Sequence, residues 1–127
     1  MSVRGRMMSA MAPRAPVPLS YVERIRAIVD ALPRTHEEDA WVGVRWRVGK
    51  ATIAHLFGGE DQRIRITFKG SADEVHAFRE MGDPYFTTDW GADTIGMVLD
   101  EHTDWEELAE MLQDSHRLQT TRRSGAR

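Results

Sequence analysis

The sequence predicts an α+β fold: a two-layer sandwich in which helices pack on one face of an antiparallel sheet. Three observations predict it. Residues 41 to 69 contain three strand-like stretches joined by short turns. Three Ser/Thr-x-x-Glu patterns, at Ser20/Glu23, Ser71/Glu74 and Thr103/Glu106, each open a stretch with apolar residues at helical spacing. Strands and helices also come in separate runs, in the order α-β-β-β-α-β-(β)-α.

The first helix is expected from Ser20, with Val22, Ile25, Ile28, Val29 and Leu32 on one stripe and Pro33 as its stop. "PRTHEED" reads as a connecting loop. In "WVGVRWRV", residues 41 to 48, Val42, Val44, Trp46 and Val48 alternate with Trp41, Gly43, Arg45 and Arg47, the pattern of a half-buried strand. Gly49-Lys50 turns the chain into "ATIAHLF", a second strand. "RIRITFK" is the third, and the short connections make a meander.

A second helix is expected from Ser71 to about Met81, with Val75 and Phe78 inward and Gly82, Asp83 and Pro84 ending it. "YFTTDWGAD" reads as a loop or short strand. "TIGMVLD" is apolar enough for a central strand. The last helix runs to about Leu118, with Trp105, Leu108, Ala109, Met111 and Leu112 on its apolar side. Residues 1–18 are expected to be a disordered arm, 19–118 one domain and 119–127 a flexible tail.

Composition narrows the function. With 41% hydrophobic and 29% charged residues the chain has the make-up of an ordinary globular protein. The absence of cysteine excludes disulfides, thiolate catalysis and cysteine-ligated metals. No apolar run approaches bilayer length. The "MMSAMA" stretch is too short for a signal peptide and runs into Pro13 and Arg14. A cytoplasmic protein is expected, and Met7, Met8 or Met11 could serve as its start.

The net charge of −3 hides an asymmetry. Glu80 to His116 holds no lysine or arginine, whereas Trp41 to Gly70 is rich in both. If the apolar residues of the first and third strands face the helices, Arg45, Arg47, Arg63, Arg65 and Lys69 share the other face, with Lys50 at the hairpin tip. Guanidinium forks suit phosphate oxygens. DNA is therefore a candidate partner. Stacking of bases on the sheet is poorly supported, because Trp46 and Phe68 fall on the buried set and only Trp41 shares the basic side. The competing readings are a solvated face and one ion-paired to acidic residues elsewhere in the fold.

A different reading is a protein-interaction module, chaperone-like or dimeric. It would use the same face or the loop of residues 85–93, where Tyr85, Phe86, Asp89 and Trp90 gather. An enzyme is not expected. "HEED", residues 36 to 39, lacks the helical spacing that puts two imidazoles on one face. "DEHTD" lacks the glycine and bidentate glutamate of a calcium loop. Ser71 and Ser115 have His76 and His116 nearby, but no strand-turn-helix motif presents a nucleophile. His55 reads as a structural histidine. No metal and no cofactor is expected.

Five stretches, "LPRTHEE", "WRVGKATIAHL", "ITFKGS", "DWGADTIGMVLD" and "LAEMLQDSHRL", resemble the MmcQ/YjbR family of small bacterial proteins in their order and spacing. Together they cover about residues 20 to 118. The matching positions include Pro33, Glu37, Gly49, Lys50 and Trp90. The family's serine-tyrosine pair in the last helix is Ser115-His116 here, a departure. The resemblance implies a two-layer, CyaY-like fold of the kind found in type III secretion chaperones. It also implies a DNA-binding role.

Overall fold

The computed structural model describes residues 13–125. Among these the elements follow in the order α1 (Leu19–Val29), β1 (Thr35–Asp39), β2 (Val44–Val48), β3 (Ala51–Gly58), β4 (Ile64–Lys69), α2 (Ala72–Met81), β5 (Tyr85–Thr87), β6 (Thr94–Leu99) and α3 (Trp105–Gly125). The six strands form one antiparallel sheet in the order β1-β2-β3-β4-β6-β5. This is the expected α+β class, with one strand more than expected.

The added strand is β1, within the "PRTHEED" stretch read as a loop. Its polarity disguised it. Each of its glutamates is neutralised by a neighbour: Glu38 by Arg45 and Arg47 on one face, Glu37 by Arg26 of α1 on the other. Glu37 also accepts the indole N–H of buried Trp46 at 2.9 Å. Its carboxyl is held below the usual range by the Arg26 hydrogen bond, against partial burial.

The helix starts are set more variously than the capping patterns predict. At α2 the expected box is present, with Ser71 and Glu74 each accepting from the other's backbone N–H. At α1 no side chain caps the helix. Pro18 is the N-cap, and its carbonyl accepts from Tyr21 and Val22. At α3 Asp104, not Thr103, accepts the N–H groups of Glu106 and Glu107. Thr103 instead closes the preceding turn by accepting from the Asp100 N–H.

The segments expected to be loose are partly held. The arm's residues 1–12 and the tail's 126–127 lie outside the described residues. Ala15 donates its N–H to Gly59, Arg14 to the Gly58 carbonyl, and Gln62 to the Pro13 carbonyl. Unsatisfied backbone at the end of β3 is thus paired by residues 13–15. At the other end α3 continues past Leu118, and Gln119 is buried, donating to the Thr52 carbonyl at 2.9 Å.

The core lies between the sheet and the helices. Trp46, Leu56, Ile66 and Ile95 face it from the strands, and Ile25, Leu108 and Leu112 from the helices. All seven are buried, and each such side chain contributes about 1.5–3 kcal/mol. α3 packs on β3 and β4, α2 on β5 and β6, and α1 on α3. There Tyr21 meets Trp105 edge-on at 5.5 Å, with Arg24 over the same ring.

One irregularity decides which residues reach the far side of the sheet. Gly49, at φ 61°, makes the β2–β3 turn. Counting outward, Val48 faces Ala51 and Arg47 faces Thr52, but Trp46 then faces Ala54. Ile53 is therefore the extra residue of a β-bulge. Without it His55 and Phe57 would turn toward the helices. With it they stand on the open face. Ser115 of α3 grips this point, donating to the Ile53 carbonyl and accepting the Lys69 N–H.

Candidate functional site

The open face is crossed by one row of directly opposed residues from all six strands: Glu38, Arg45, His55, Thr67, Gly96 and Phe86. Arg47 and Arg65 stand on the same face, and Lys69 is opposite Thr94 at its rim. These are four of the five cations the alternation predicts. Arg63 is not with them. It precedes β4 and lines clefts at the end of the sheet beside Asp100, Glu101 and Glu107. Lys50 is exposed at the β2–β3 turn.

The face cations are engaged by carboxylates. Arg45 and Arg47 share Glu38, at 2.5 and 3.0 Å. Arg65 makes a two-pronged pair with Asp61, and Lys69 lies 3.4 Å from Asp93 and 3.1 Å from the Thr94 hydroxyl. Hydrogen bonds from Arg47 and then Arg45 lower the Glu38 carboxyl. The Arg65 guanidinium holds Asp61 well below the carboxylate range. The charge does not cancel evenly. At the β1–β2 corner two guanidinium groups share one carboxylate, and Arg47 Nε is buried without a hydrogen-bond partner. Arg14 adds a further cation at the far end of β3, where it donates to the Gly58 carbonyl.

Between these charges the face is aromatic. The His55 and Phe57 rings lie 4.8 Å apart. His55 donates from Nε2 to the Val42 carbonyl. Burial lowers the His55 pKa, so the ring is neutral near pH 7; the bond to Val42 opposes this and Arg45 adds to it. Trp90 is 74% exposed and stands beside them. It lines a cavity of about 240 Å³ with Arg14, Val42, His55 and Phe57. It also lines a second, of about 180 Å³, which includes His55, Thr67, Lys69 and Thr94. Trp41 is wholly exposed at the β1–β2 hairpin tip.

The 85–93 stretch is divided rather than gathered. Tyr85 is buried on the helix side against Phe78, at 4.5 Å. Phe86 lies on the open face over Gly96, where a β-carbon on the glycine would meet its ring. Asp89 and Trp90 are exposed in the loop after β5. His55, Phe57 and Arg14 were not legible as site residues. "ATIAHLF" shows no alternation, so only the bulge reveals which side its rings take.

Among the described residues no group of three or more His, Asp or Glu is placed to hold a metal ion. No helix there is long and apolar enough to cross a membrane. Ser115 is fully buried, with its hydroxyl used by two backbone bonds, and His116 Nε2 lies 3.0 Å from the Pro33 carbonyl. Both residues of the departing Ser-His pair thus tie α3 to the rest of the fold.

The YjbR family model matches residues 30–118. The fold is similar to the crystal structure of Deinococcus radiodurans protein DR2400, which carries the domain DUF419, with a TM-score of 0.65. The two are 20% identical, with 76% of each chain covered, so the likeness is one of fold. No curated protein matches the chain.

Proposed function

Because the chain belongs to the YjbR family, a family assignment that leaves its activity open, we propose that it is a non-enzymatic nucleic-acid-binding domain that meets phosphates on its open sheet face. The observation that carries this reading is the corner where Arg45 and Arg47 share Glu38. Two guanidinium groups hold up to ten N–H donors, and one carboxylate occupies few of them. A phosphate approaching that corner meets net positive charge and preset guanidinium forks. Lys50 at the adjoining turn extends the patch. Arg65 contributes less, since displacing Asp61 would forfeit a two-pronged pair.

The test is fluorescence anisotropy of a labelled oligonucleotide across a salt series. The Arg45→Gln/Arg47→Gln double variant should bind more weakly. Its log affinity against log salt should flatten by roughly 1 to 2, the loss of one or two phosphate contacts. Unchanged affinity and slope would remove the corner from any account of function.

A second reading rests on Trp41. A fully exposed tryptophan at a hairpin tip is the kind of side chain that anchors a protein interface. A protein partner or a homodimer would then use this end of the sheet. Light scattering of the wild type and of Trp41→Ala tests it: a dimer that the substitution dissolves supports it.

A further inference from the structure

We propose that Trp90, His55 and Phe57 form a stacking subsite for the unpaired bases of a single-stranded nucleic acid. This rests on the phosphate-binding reading above and adds what that reading leaves open, the strandedness of the ligand. The two cavities on the open face adjoin at Trp90 and His55, and we read them together as one groove along β3. Three of its lining groups offer π-surfaces: the exposed Trp90 indole, the His55 ring and the Phe57 ring. Among the described residues no other ring pairs with Trp90.

Cations stand at both ends of the groove. Arg14 is at the Phe57 end; Lys69, 3.4 Å from Asp93, lines the other, and Arg45, which shares Glu38 with Arg47, is directly opposite His55. An occupant that threads the groove therefore needs flat apolar groups in the middle and negative charge on either side. A single strand supplies both, because its bases are free to unstack while its phosphates continue along the groove. A duplex shows its bases only edge-on and offers no free π-face to a side chain on a sheet. An extended peptide supplies aromatic or apolar groups but not a regular run of negative charge. The excess positive charge, at Arg14 and at the two guanidinium groups that share Glu38, favours the nucleic acid.

The experiment compares oligodeoxythymidine, oligouridine and a duplex with the full chain, by anisotropy and by intrinsic tryptophan fluorescence. One or both single strands should bind more tightly than the duplex and quench the fluorescence. Trp90→Ala should lose roughly 5- to 150-fold on the single strand, the range of one lost stacking contact, with its salt slope unchanged. Trp90→Phe should recover most of that loss, and the exposed position makes either variant fold normally. Duplex binding as tight as single-strand binding, or single-strand binding indifferent to Trp90→Ala, overturns the subsite. If that binding still weakens in Arg45→Gln/Arg47→Gln, the phosphate-binding reading survives alone. Binding to none of the three probes overturns both.

Discussion

The hydroxyl of Ser115 donates to the carbonyl of Ile53 at 2.7 Å, across 62 residues of sequence. Ile53 is the bulged residue of β3, so the last helix holds the one irregularity that places His55 and Phe57 on the open face. The same oxygen accepts the Lys69 N–H, and Gln119, one turn on, takes the Thr52 carbonyl. α3 therefore fastens β3 and β4 at a point where ladder hydrogen bonds are interrupted.

Removing that hydroxyl should be costly. Ser115→Ala leaves a buried N–H and a buried carbonyl short of a partner, at about 2–4 kcal/mol in total. Urea denaturation reads the loss. Hydrogen exchange should localise it to the strands on either side of the bulge. A cost below about 0.5 kcal/mol, the usual range of surface substitutions, would mean that the bulge holds itself.

The contact of Phe86 with Gly96 leaves no room for a side chain. Gly96→Ala should destabilise by about 1–3 kcal/mol through overpacking. Combining it with Phe86→Leu should restore part of the loss, because the obstructing ring is gone. Thermal melts of the two single variants and the double variant measure the coupling. Additive costs would show that the ring swings clear without penalty.

Glu38 should act as a brake on phosphate binding. Glu38→Gln keeps an acceptor for Arg45 and Arg47 but removes the charge they share. Oligonucleotide affinity should rise and its salt dependence steepen. Weaker binding in the same anisotropy titration would show instead that the carboxylate is needed to aim the guanidinium groups.

His55 gives stability a pH dependence of known sign. Its pKa is lowered in the folded protein, chiefly by burial, so below about 6.5 the unfolded chain binds more protons. Its contribution is fully present above that pH and is lost as pH falls from there through the lowered folded value. Urea titrations at a series of pH values should show this slope in the wild type and not in His55→Gln. An identical slope in both would assign it to other groups.

Much of the fold was legible because its signals are local. The Ser71/Glu74 box, the Gly49-Lys50 turn and the alternation of Ile64, Ile66 and Phe68 each rest on neighbours in sequence. β1 was not legible, because Glu37 and Glu38 become tolerable in a strand only when Arg26, Arg45 and Arg47 arrive from other elements. Alternation suffices to place Arg45, Arg47, Arg65 and Lys69 on one face. It does not place Arg63, because alternation does not say where a strand begins, and this one begins at Ile64. The rings beside those charges escaped notice because a bulge leaves no trace in an unbroken apolar run.

Ile53 and Ser115 also set an order of events during synthesis. Residues 41 to 69 leave the ribosome well before residues 105 to 125, so the β2–β3 hairpin exists for a time without its clasp. In that interval the hairpin can zip in its regular register, with His55 and Phe57 on the wrong side. Only the arrival of the last helix rewards the bulged pairing. The open face is thus finished by the last helix, and on the proposed reading a nascent or truncated product ending before Ser115 would lose nucleic-acid binding.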